Sequence, residues 1–227
     1  MMRTVRAAAL AAAFLAGQAM ALATAHAAGV CSDFGGAVEQ DGLCRVNATK
    51  PNYSLKMSFP VDFPTQAAVD DFLTQTRNGF LNETQTPNYA GAPYAMDVTA
   101  SPWASDTTRS VSFEIFDDFG GAHPNTWYKA FNFDTVHNRP LAFADLFAPG
   151  VNPMNAILPA VQKALEAEMG MPAPVLDNAG MDPSNYQNFA ITPSELVFFF
   201  DRGELMAGAA GAHTVHVPRS AIPPLAV

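Results

Sequence analysis

The run ELVFFFD, residues 195–201, sets the strongest constraint on how this chain can fold. Leu196 to Phe200 are apolar without interruption and lack the alternation of a half-exposed strand. The run reads as a central strand covered on both faces, so a sheet must have material packed above and below it. NFAI at 188–191 and the turn TPSE before the run complete a hairpin. HTVHVP at 213–218 reads as a short last strand.

Elsewhere the apolar residues follow two periods. Period two places Tyr53, Leu55, Met57 and Phe59 on one strand face, then Tyr94, Met96 and Val98, then Val111, Phe113 and Ile115. Trp127, Phe131 and Phe133 mark a further strand, whose face Lys129 interrupts. The helical period predicts a helix from Thr65, as its cap, to about Asn82, with Val69, Phe72, Leu73, Thr76, Phe80 and Leu81 as its stripe. Asp70 and Asp71 fall in its first turns, where the helix dipole favours acids. A second helix starts at Pro153 and ends near Gly170, with Leu158, Val161, Leu165 and Met169 facing the core. Pro159 inside that pattern predicts a kink or a later start. Strands without strict βαβ alternation, and 17 phenylalanines to fill a core, predict an α+β fold: a mainly antiparallel sheet packed with two longer helices.

The N-terminus predicts export. Two arginines, Arg3 and Arg6, precede the apolar stretch AAALAAAFLAGQAMALATA, and AHA at 25–27 has the small-x-small form of a cleavage site. Residues 1–28 are therefore read as a signal peptide, cut after Ala27 or Ala28, with no membrane insertion afterwards. Val30 before Cys31 is too large for a lipobox. Removing Arg3 and Arg6 leaves 10 basic against 21 acidic residues, a net charge near −11. That balance argues against nucleic acid or anionic membrane as a partner. In an exported chain the isolated pair Cys31 and Cys44 is expected as a disulfide. It closes a 14-residue loop, worth about 3 kcal/mol on the chain-entropy model.

No GxSxG, HExxH, GxxxxGK[ST] or CxxC occurs, which lowers the prior for the commonest hydrolase, metalloprotease, nucleotide and thiol-redox sites. His213 and His216 stand three apart on a predicted strand and face opposite ways, so one packed and one exposed histidine is expected rather than a metal pair. Asp177 and Asp182 lack EF-hand spacing, and Asp182-Pro183 starts a turn. The stretch DDFGGAHPNTWY remains as the candidate functional loop: Asp117, Asp118, Gly120, Gly121, His123, Trp127 and Tyr128. Asp118 and His123 have the types of an acid/base or single-metal pair. The reading favoured from the residues is structural. Gly120 and Gly121 supply positive φ, an aspartate caps the turn, and His123 packs on the aromatic strand. Catalytic residues, metal and cofactor are expected to be none.

GGAHPNTWYKAFNFD, NYQNFAIT, ELVFFFDRGEL and VPRSAI, with Cys31, Cys44 and QTRNGFL, resemble the mycobacterial secreted immunogenic protein family, the major small culture-filtrate antigen. The resemblance spans about Cys31 to Ile222. Its C-terminal part is similar to a domain of unknown function also found in RsiV-type anti-sigma factors, where it binds lysozyme, and in some extracellular polysaccharide deacetylases. The resemblance implies one secreted domain over 29–227, with an N-terminal part at about 29–105 and an RsiV-like part at about 106–222. It implies a secreted, non-enzymatic, antigen-like protein that binds host or envelope protein partners. A cell-envelope glycan-binding or carbohydrate-active module is the alternative. Trp127, Tyr128, Tyr89 and Tyr94 are the aromatics expected to form such a surface.

Overall fold

The structure, a computed structural model, describes residues 29–86, 91 and 93–227. The predicted signal peptide and Tyr89 lie outside the described residues. Among those described, no helix is long and apolar enough to cross a membrane.

A seven-stranded sheet holds β1 (Ala37–Val38), β2 (Leu43–Lys50), β3 (Tyr53–Pro60), β4 (Tyr94–Ala104), β5 (Thr108–Asp118), β6 (Asn125–Asp134) and β7 (Arg139–Pro140), side by side in chain order. Neighbours are antiparallel except β3 and β4, which run parallel across the helix α1 (Gln66–Glu83). The fold is α+β and mainly antiparallel, as the periods imply. The single βαβ unit was not legible in them, because a period-two face looks the same in either strand direction.

One face of this sheet presents Leu55, Met57, Phe59, Val98, Phe113 and Ile115, and α1 lays Val69, Leu73 and Phe80 on it. Burying each such side chain stabilises the fold by roughly 1.5–3 kcal/mol. Thr65 stands at the cap position, but its side chain makes no capping bond. Gln66 does the work expected of it: Oε1 accepts the Phe63 N–H (2.8 Å), and Nε2 donates to Pro60 O (3.0 Å) and Asp70 Oδ1 (2.8 Å). A buried disulfide joins Cys31 to Cys44, Cα to Cα 5.8 Å, and ties a helical turn at 29–33 to β2.

A second, three-stranded sheet holds β8 (Phe189–Ile191), β9 (Glu195–Phe200) and β10 (His213–Pro218), with β9 in the middle. The predicted two-sided burial is there. Leu196, Phe198 and Phe200 join Ile157, Val161 and Leu165 of α2 (Met154–Met169), together with Phe143 and Tyr186. Val197 and Phe199 face the first sheet and meet Tyr128, Ala130 and Trp103. β9 is therefore the shared wall between two cores.

The second helix differs from expectation in two details. It begins at Met154 in spite of Pro159, so there is no later start; that proline lacks the amide that would bond to the Asn155 carbonyl. Its buried line is Met154, Ile157, Val161 and Leu165, with Leu158 one step off and only half-buried. Leu158 turns instead toward Gly180 of α3 (Asp177–Met181), where a Cβ would meet its Cδ1 at 2.6 Å. His213 is buried and His216 about half exposed, as the strand period requires. The split at about 105 places β5 and β6 with the C-terminal part. Their hydrogen bonds put them in the first sheet, and the second core begins at Leu141.

Candidate functional site

The loop between β5 and β6 is held at its ends and open in its middle. The Gly120 N–H donates to Asp118 Oδ1 at 2.8 Å, the expected turn cap. Gly120 has φ +71°, but Gly121 does not adopt positive φ, so one glycine meets the steric demand and not two. Trp127 Nε1 donates to Asp117 Oδ2 at 2.8 Å. Burial pushes the Asp117 carboxyl up; the Trp127 N–H opposes this and the Asp118 charge adds to it. His123 is exposed, and its Nδ1 lies 3.3 Å from Pro124 O. The expected packing of His123 on the aromatic strand is thus corrected: residues 119–124 lie beyond the last paired strand residues, and there it is Phe119, not His123, that packs on rings, those of Tyr94 and Phe80. Trp127 and Tyr128 are separated by strand alternation. Trp127 stacks edge-on with Phe72 at 6.0 Å on the α1 side, and Tyr128 packs on Phe199 at 5.6 Å on the other. Among the described residues no group of three or more His, Cys, Asp or Glu could hold a metal ion.

A second constellation, not singled out from sequence, lies along the edge of β6. Asn188 imitates a strand there: its Oδ1 accepts the Ala130 N–H (3.0 Å) and its Nδ2 donates to Tyr128 O (3.0 Å). Asp201 Oδ1 accepts the Tyr128 N–H at 2.7 Å, and the Arg202 N–H donates to Thr126 O. Asn132 Nδ2 reaches back to Phe189 O at 2.9 Å. Glu204 Oε2 in turn accepts the Asp201 N–H at 2.8 Å. Burial pushes Glu204 up to about 7, with the Asp201 charge adding to it against the Asp201 N–H; Asp201 itself is raised by burial. The signal that could have found this clasp was small: an asparagine before one apolar run and an acid at the end of the next.

Two concave surfaces lie among the described residues. One, about 420 Å³, is lined mainly by apolar residues, among them Phe147, Val151, Pro153, Met154 and Pro183. The other, about 390 Å³, lies where β4 and β5 run past the end of β3, between Phe63, Trp103, Arg109 and Ser110. Of the aromatics expected to form a surface, Tyr94 and Tyr128 are buried, and Trp127 is partly buried against the first core. Trp103, which the periods did not mark, opens into a groove.

Comparison with known proteins settles kinship. The chain is 46% identical over 201 residues to a protein named Esterase Rv3036c from Mycobacterium tuberculosis, covering 87% of this chain and 88% of that one. It is 34% identical over 205 residues to Immunogenic protein MPB64 of Mycobacterium bovis and to Immunogenic protein MPT64 of Mycobacterium tuberculosis, covering 88% of this chain and 90% of theirs. This chain belongs to the MPB64/MPT64 family. Residues 144–220 also match the family described as a protein of unknown function, DUF3298. Two crystal structures of DUF3298-family proteins share the fold at 14% identity. The Bacteroides fragilis one has a TM-score of 0.52 and covers 80% of this chain and 92% of its own; the Pseudomonas aeruginosa one has 0.51, with 78% and 92%. In this MPB64/MPT64 family member, the stretches that carry the resemblance also carry the clasp. Tyr128 and Ala130 lie in GGAHPNTWYKAFNFD, Asn188 in NYQNFAIT, and Asp201 and Glu204 in ELVFFFDRGEL.

Proposed function

We propose that this MPB64/MPT64 family member is an exported, non-enzymatic protein that binds a basic, partly apolar protein surface. The observation that carries the reading is where large hydrophobic side chains are left in solvent. Among the described residues these are Val38, Phe119, Val136, Val151, Met171, Leu176 and Met181, and four of the seven fall within 151–181. Val151 lines the 420 Å³ groove, and Met181 stands two residues from its Pro183 wall. Apolar exposure concentrated in one segment favours an interaction surface there, and methionine adapts to the shape of a partner. Residues 143–187 carry five acids against one lysine, which selects a cationic partner. The arginine-led apolar N-terminus with its AHA site supports export.

The name of the 46% relative raises esterase activity as the competing reading. The ring contacts of the described histidines support the non-enzymatic one. Nδ1 of His137, His213 and His216 lies near a carboxylate, that of Asp134, Glu168 and Glu195 in turn, and Nδ1 of His123 near a backbone carbonyl, so no hydroxyl is among these contacts. Both cysteines are consumed by the bridge.

A photo-crosslinker at position 181 should capture a basic envelope or host protein. Met171→Glu with Leu176→Glu should abolish the capture, and Val136→Glu should leave it intact. Equal capture by all three proteins would refute the surface. Saturable hydrolysis of p-nitrophenyl butyrate by the purified protein would refute the non-enzymatic reading.

A further inference from the structure

We infer that the 390 Å³ groove around Trp103 is a binding site for a neutral saccharide unit, separate from the protein-binding surface proposed above. Its size falls within the roughly 300–1,000 Å³ of small-molecule sites. Its walls are preformed. Pro60, Pro64 and Pro102 fix the backbone on three sides. The indole of Trp103 cannot swing freely, because Nε1 donates to Ser112 Oγ at 2.9 Å and the ring packs on Phe199 at 5.7 Å. The residue is nonetheless only partly buried and lines the groove.

The polar groups select the ligand class. Arg109 Nη1 donates to Ser105 O and Thr108 O, both at 3.1 Å, and these bonds orient the guanidinium. Among the described residues neither Arg109 nor Asp62 takes part in an ion pair, although both line the groove. Ser110 lines it too; it is 2% exposed, and its hydroxyl has no hydrogen-bond partner. An anion would meet Asp62 and a cation would meet Arg109. A wholly apolar ligand would desolvate both charges without compensation. A sugar ring fits all of them. Its C–H face lies on the indole, and its hydroxyls donate to the carboxylate and accept from the guanidinium. The occupant is thus one pyranose unit of a neutral glycan.

The chain has two tryptophans, so the test has an internal control. Trp103, whose indole donates to Ser112, lines the groove, and Trp127, whose indole donates to Asp117, does not. ¹⁵N-labelled mature protein is titrated with maltotetraose, mannotetraose, cellotetraose and N-acetylchitotetraose. At least one should shift the Trp103 indole signal and leave that of Trp127 in place. Arg109→Ala should weaken that affinity about tenfold, the loss of a charged hydrogen bond. Ser110→Ala should leave that affinity unchanged, because its hydroxyl is buried away from the groove's surface, with a melting temperature equal to or above wild type, because it has no partner to lose in the protein. The inference is overturned if none of the four sugars moves the Trp103 signal at millimolar concentration, or if Arg109→Ala binds as tightly as wild type.

Discussion

Two stretches meet β6. The 117–126 loop leads into it and is crowded with residues that draw chemical attention: two carboxylates, a glycine pair and a histidine. The 188–204 stretch lies along its edge and is mostly apolar, with Asn188, Asp201 and Glu204 among its polar residues. The structure ties down few groups in the first. In the second, the side chains of Asn188, Asp201 and Glu204 each accept a backbone N–H, and two of those N–H groups belong to another sheet. What separates the two is the number of partners. An unpaired sheet edge is a row of donors and acceptors that must be satisfied somewhere, and this chain satisfies it with side chains from the C-terminal lobe.

The largest expected effect is on the apolar half of that junction. Phe199 is 2% exposed and packs on both Trp103 and Tyr128. Phe199→Ala should cost about 3–5 kcal/mol in urea unfolding, the range for a buried phenylalanine. A loss below 1 kcal/mol would mean the two sheets are not packed as a unit. Asn188→Ala comes next. It leaves Tyr128 O and Ala130 N without their partner, at an expected cost of about 2 kcal/mol. Asn188→Asp should not rescue it, because a carboxylate can accept from Ala130 but cannot donate to Tyr128 O.

The clasp also predicts a pH dependence of defined sign. Burial raises Glu204 from 4.5 to about 7, so between those values the folded state holds a proton that the unfolded state has lost. Its contribution to stability is full below about pH 4.5 and is lost as pH rises through about 7. Asp201, also raised by burial, acts in the same direction. Asp134, Asp145 and Asp182 are lowered, chiefly by backbone N–H groups, so their contribution is present above pH 3.8 and lost as pH falls below it, outside this window. Glu204→Gln keeps an acceptor for the Asp201 N–H and removes the charge. Urea midpoints from pH 4 to 8 should fall across the 4.5–7 window in wild type and fall less in the variant. Identical slopes would show that Glu204 does not titrate there.

How much of this was legible depended on the kind of signal. The two-sided strand at Leu196–Phe200, the α1 stripe and the Cys31–Cys44 pair each follow from a local period or a compartment rule, and each is present in the structure. The parallel pairing of β3 with β4 is a relation between distant segments that no period encodes. Asn188 fails for the same reason: its partners are 58 and 60 residues away. Trp103 stands at the end of a long strand where alternation gives way to edge, and so carried no pattern. The loop erred the other way, since residue types suggested contacts for His123 that geometry withholds.

The smallest effects belong to that loop, and they sharpen the contrast most. Asp118 holds the turn through one hydrogen bond, to the Gly120 N–H. Asp118→Ala should cost about 1 kcal/mol, the net worth of such a bond with its local N–H left to water. Asp118→Asn should recover most of it, because the amide oxygen can still accept. His123 is exposed, and its one contact is a 3.3 Å approach to the carbonyl of the next residue. His123→Ala should therefore change stability by less than about 0.5 kcal/mol, the usual range for a surface site without partners. A stability loss above 1 kcal/mol in His123→Ala would mean that something other than solvent holds the ring. The loop would then rank beside the clasp, and the contrast between the two stretches would fail.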